Sequence, residues 1–140
     1  STVWNRLARA SPAGAKRVMP LKVSGPFHTS LMAPAGEALA KRFPTVDLRV
    51  MHFPVLFHRK GDVLGEGDSI PSLLVRQVQS SVHMEDTIRN MAAHGVDTIL
   101  EIGPGKALSG FVKKTEKGIT TYAVETAEDL EAAVAALKGA

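Results

Sequence analysis

The chain has 140 residues, 44% of them apolar and 22% charged, the balance of an ordinary globular domain long enough to bury a core. The net charge of +3 is mildly basic, but aromatic residues make up only 5%, too few for base-stacking platforms, which argues against a nucleic-acid binder, and no apolar run approaches the roughly 20 residues of a membrane span. Cysteine is absent, which excludes disulfides and thiolate chemistry and suits a reducing cytoplasm; no signal peptide opens the chain.

Residues 3–10 are compatible with a short helix, broken by Ser11-Pro12-Ala13-Gly14. Residues 17–23 alternate, with Met19, Leu21 and Val23 on one face, and read as a strand; Pro20 cannot donate a ladder bond and places it at an edge. Gly25-Pro26 ends it, and His28 follows on a short turn before a helical pattern in which Pro34 sits near the start. Phe43-Pro44 closes that helix. Residues 48–53 alternate and residues 54–58 read as a second short extended piece, whereas 59–68 are polar and glycine-rich, a loop.

Ile70, Leu74 and Val78 mark a one-faced helix with Pro71 in its first turn. Residues 84–94 form another helix, stopped by Gly95. Residues 96–102 are strongly apolar and read as a strand buried on both faces. Gly103-Pro104-Gly105 turns into a helix over 106–114, a strand follows over 119–124, and Thr126-Ala127-Glu128-Asp129 has the spacing of a capping box. The last helix should bury Leu130, Val134 and Leu137 as one face. The alternation predicts an α/β fold with parallel strands and crossover helices.

Chemistry gathers at His28. Imidazole is the side chain whose ordinary titration spans neutral pH, and a turn between two ordered elements is where general bases often sit. By spacing alone, a lone histidine beside proline and phenylalanine reads more readily as a packed or surface residue than as a catalyst. The remaining histidines (His52, His58, His83 and His94) lack metal-site spacing. Gly103-Pro104-Gly105-Lys106 fails as a phosphate loop, because Leu100 stands where a glycine is needed and Ala107 where a hydroxyl is needed. A tight turn and close packing are the expected roles there. Lys113, Lys114 and Lys117, and separately Lys16, Arg17 and Lys22, are surface cations that would favour an anionic partner.

Val23-Ser24-Gly25-Pro26-Phe27-His28-Thr29-Ser30-Leu31-Met32, together with Leu74-Val75-Arg76-Gln77-Val78 and Glu101-Ile102-Gly103-Pro104-Gly105-Lys106-Ala107-Leu108-Ser109-Gly110, resembles the C-terminal portion of bacterial malonyl-CoA:acyl-carrier-protein transacylases. The likeness runs from about Gly14 onward. It implies a partial α/β-hydrolase-like acyltransferase core over residues 25–140, preceded over residues 1–24 by the tail of a small ferredoxin-like subdomain. It implies acyl transfer through a serine ester, from a coenzyme A thioester as substrate to the thiol of acyl carrier protein, with no tightly bound cofactor. His28 would be the base, and the main-chain carbonyl of Gln77 would stand in for the usual aspartate.

The family's Gly-x-Ser-x-Gly elbow occurs nowhere in the sequence; Ser24, Ser30 and Ser109 lack it. The arginine that grips the malonyl carboxylate and the upstream oxyanion segment are missing as well. The expectation is therefore a chain carrying the base without the nucleophile and inactive alone. The rival reading is a non-catalytic module that binds acyl carrier protein, self-associates or pairs with a complementary N-terminal chain.

Overall fold

The computed structural model describes residues 12–14 and 24–139. The helix expected over 3–10 and the strand expected over 17–23 lie outside the described residues, as does nearly all of the expected 1–24 unit.

The first packed group is a helix pair. A 3-10 turn, Ser30–Met32, leads into α1, Ala33–Arg42, with proline in its first turn and Lys41 and Arg42 in its last, where cations oppose the helix dipole. A second 3-10 turn, Phe43–Thr45, ends it. Helix α2, Ile70–Gln77, starts at Ser69, whose hydroxyl accepts the Ser72 N–H at 3.3 Å. The two helices approach closely at the buried Gly36, where a Cβ would lie 2.8 Å from Gln79 Nε2 and 3.2 Å from the Val75 carbonyl oxygen.

The second group holds the parallel strands. Helix α3, Met84–Ala93, opens with Glu85 and Asp86 and stops at Gly95, whose φ of +81° suits glycine. Then come β1, Thr98–Ile102; α4, Ala107–Thr115; β2, Thr120–Val124; and α5, Ala127–Lys138. β1 and β2 pair in parallel, Thr98 opposite Thr120 through Ile102 opposite Val124, so α4 is a crossover helix. Ile88, Val112 and Ile119 form the buried centre, with Met84, Ala92 and Ile99 against it. The expected capping box is present: the Thr126 hydroxyl accepts from Asp129 N, and Asp129 accepts from Thr126 N.

Three expectations fail. Residues 48–53 and 54–58 form no strands, because an extended run becomes a strand only when a neighbour completes its ladder. Among the described residues the sole pairing here is an isolated bridge between Phe57 and Asp62. The apolar strand begins at Thr98 rather than Val96 and is not covered on both faces; Ile102 is 80% exposed. The last helix buries Ala133, while Leu130, Val134 and Leu137 stay exposed on one side. The two strands among the described residues have too little surface to cover all of these faces.

Candidate active site

The long-range contacts of His28 come from the end of α2. The last carbonyls of a helix have no intrahelical donor and must find partners elsewhere. The Val78 oxygen takes the His28 backbone N–H at 3.1 Å. The Gln77 oxygen takes Ser80 N at 3.3 Å and lies 3.0 Å from His28 Nδ1. A carbonyl oxygen only accepts, so Nδ1 carries the proton and the neutral ring presents Nε2 as its basic atom. The His28 side chain is exposed, and Nε2 has no hydrogen-bond partner among the described residues.

The backbone at His28 is unusual. Its φ is +59°, making it the one non-glycine residue among those described in the left-handed region. Pro26 precedes the turn, and the Thr29 hydroxyl closes it by donating to the Pro26 oxygen at 2.7 Å while accepting the Leu31 N–H at 3.3 Å. Sequence reasoning missed both the left-handed conformation and Thr29. A hydroxyl immediately before a helical pattern is a recognised cap signal and would have pointed to Thr29.

Glu101 explains why Gly103-Pro104-Gly105 is no anion site. Its carboxylate accepts Leu108 N at 3.0 Å and Ser109 N at 2.7 Å, so the chain's own anion occupies the start of α4. The nearby Ser109 hydroxyl, then the Ser109 and Leu108 amides, favour the charged carboxylate and hold it below its ordinary value of 4.5; of these only the two amides are hydrogen-bonded to it, since Ser109 Oγ is buried without a partner. The glycines serve the turn alone, with φ of +139° at Gly103 and +87° at Gly105. The close packing expected there is not seen, since a Cβ at either would meet nothing within 4 Å. Lys113 and Lys114 lie in the last turn of α4, where they complement its dipole.

Among the other histidines, His94 Nε2 lies 3.1 Å from Asp62 Oδ1 and His83 Nδ1 lies 3.3 Å from Asp86 Oδ2. The His94–Asp62 hydrogen bond, with the Val63 N–H, pulls the Asp62 carboxyl below the usual range. His58 gives its carbonyl to His83 N at 2.8 Å, and its Nδ1 is buried without a hydrogen-bond partner. Among the described residues no three histidine, aspartate or glutamate side chains gather as a metal site. Ser24 and Ser30 are exposed near His28 in sequence, and Ser109 is buried on α4.

No family model matches the chain. Known proteins do. Over 129 residues it is 43% identical to the malonyl CoA-acyl carrier protein transacylase of Bacillus subtilis, covering 92% of this chain and 41% of that protein. The crystal structure of the malonyl CoA-acyl carrier protein transacylase from Clostridium perfringens superposes with a TM-score of 0.90 at 37% identity, covering 98% of this chain and 43% of that one. A malonyl-transacylase solved in complex with its type II PKS acyl-carrier protein gives a TM-score of 0.83 at 34% identity, with coverage of 93% and 42%. The fold of this chain is α/β, a parallel sheet with helices, and is similar to that of these transacylases. The chain is homologous to malonyl CoA-acyl carrier protein transacylases along nearly its whole length and spans about two fifths of the length of the relatives it matches, consistent with a C-terminal portion.

Proposed function

We propose that this chain supplies the general base of a malonyl transfer from coenzyme A to acyl carrier protein. The observation that carries the reading is the 3.0 Å contact between His28 Nδ1 and the Gln77 carbonyl oxygen, which leaves Nε2 free to accept a proton. A hydroxyl is a poor nucleophile at neutral pH and needs such an acceptor.

In this reading a serine from a complementary segment bearing the Gly-x-Ser-x-Gly elbow gives its proton to His28 Nε2 as its oxygen attacks the malonyl thioester. The carbon–sulfur bond breaks, the proton passes to the leaving coenzyme A thiolate, and a malonyl-serine ester remains. The carrier thiol then loses its proton to Nε2, attacks the ester, and the proton returns to the serine oxygen. The Gln77 carbonyl keeps the ring in one tautomer throughout and supports the imidazolium that forms. Its side chain has no part, so Gln77 orients through its backbone. The coenzyme A thioester is substrate, and no tightly bound cofactor is needed.

The same reading assigns residues 25–140 to the later part of a hydrolase-like core, residues 1–24 to the tail of a ferredoxin-like subdomain, and the reaction to the cytoplasm. No elbow occurs in the 140 residues, so the chain alone should not turn over. Mixing it with a complementary family segment that carries the elbow tests this. Malonyl transfer that appears on mixing and vanishes with His28→Ala supports the base; a stable malonyl ester on a serine of this chain alone refutes the division of labour.

A second reading is favoured by the uncovered apolar residues Ile102 and Leu100 on β1 and Leu130, Val134 and Leu137 on α5. These faces fit a non-catalytic module that pairs with a complementary N-terminal chain, self-associates or holds acyl carrier protein. Carrier binding with no transfer after mixing would select it.

A further inference from the structure

We propose that Thr29 is a positioning residue for the His28 imidazole, acting through the backbone of the turn; this rests on His28 being the base. The turn places an L-residue where only glycine is at ease, and a left-handed backbone must be held there by its surroundings. Three hydrogen bonds do so. On the far side, the His28 N–H reaches the Val78 oxygen. On the near side, the Thr29 hydroxyl spans His28 by donating to the Pro26 oxygen at 2.7 Å, and Thr29 Oγ1 itself accepts the Leu31 N–H. The Thr29 carbonyl also accepts Met32 N at 3.0 Å, so the turn is welded to the helical segment behind it.

The direction of the His28 Cα–Cβ bond depends on φ. If the Pro26–Thr29 link opens, the turn is free to relax toward a right-handed backbone, and the ring swings off the end of α2. The Nδ1–H would then lose the Gln77 oxygen, and the tautomer that leaves Nε2 basic would lose its advantage. A hydroxyl that merely capped the Ser30–Met32 turn would behave differently: removing it would cost stability and leave the ring's tautomer alone.

Long-range proton–nitrogen spectra of the histidine rings in the 15N-labelled full chain read the tautomer directly, at a pH where the ring is neutral. The His28 signals are assigned by their loss in His28→Gly. Thr29→Val, which keeps the side chain's shape without its hydroxyl, should lower the Nδ1–H to Nε2–H ratio by about 2- to 10-fold, the worth of one hydrogen bond. Thr29→Ser should restore the wild-type ratio, and Thr29→Ala gives the same reading as valine should the valine variant fail to fold. A ratio unchanged in both hydroxyl-free variants overturns the proposal, as does a serine variant as disturbed as valine. A wild-type ring lacking Nδ1–H overturns both this proposal and the carbonyl-steered base, whereas a wild-type Nδ1–H whose ratio to Nε2–H is left unchanged by Thr29→Val overturns Thr29 alone.

Discussion

Glycine should be better tolerated than alanine at position 28, the reverse of the usual order. His28 has a φ of +59°, a conformation that costs an L-residue about 1–2 kcal/mol and costs glycine essentially nothing. Its ring also makes one exposed hydrogen bond to the Gln77 oxygen, worth about 0.5–1.5 kcal/mol. His28→Ala loses the bond and keeps the strain, so it should fall about 1 kcal/mol below wild type. His28→Gly loses the same bond, sheds the strain, and gives back about 0.4–1 kcal/mol in unfolded-chain entropy. The glycine variant should therefore exceed alanine by about 0.5–1 kcal/mol and lie close to wild type. In a helix or strand interior glycine would instead trail by roughly 0.5–1 kcal/mol. Urea unfolding of the two variants, compared at equal m-value, measures the difference. Alanine more stable than glycine would refute the strained turn and with it the geometry assigned to the base. Both variants should abolish malonyl transfer in the mixed system, separating the residue's chemical role from its structural cost.

Gln77→Ala should leave the His28 tautomer unchanged and shift stability by less than about 0.5 kcal/mol, since the acceptor is a backbone oxygen; loss of the Nδ1–H signal would overturn that assignment. Ile88, 1% exposed at the centre of the second group, loses three carbon atoms in Ile88→Ala, worth about 2.4 kcal/mol in transfer and about 3–4 kcal/mol with the cavity, to be read from the urea midpoint. Glu101 is held below 4.5 in the folded chain, so an unfolded chain binds the extra proton as acid is added. Its contribution is complete above that ordinary value and lost as pH falls through the lower folded one. Glu101→Gln should flatten the acid limb of stability against pH, and an unchanged limb would show that the carboxylate does not hold the start of α4.

Local chemistry decided what the sequence could show of this protein. The helix over 70–77, the stop at Gly95, the capping box at Thr126 and the βαβ alternation after Thr98 were legible because each depends on residues within a turn or two of one another. His28 stood out because glycine and proline punctuate the chain just before it, and the family resemblance pointed to Gln77 across 49 residues that no periodicity connects. Tertiary structure decided the rest. Whether residues 48–53 become a strand depends on a ladder partner, and whether Ile102 or Leu137 is buried depends on what packs above it. Neither is encoded in the alternation itself. The contacts of the His28 backbone N–H with Val78 and of its ring with Gln77 likewise form only when the end of α2 comes up against the turn, because an unpaired helix carbonyl takes whatever donor the fold brings within reach.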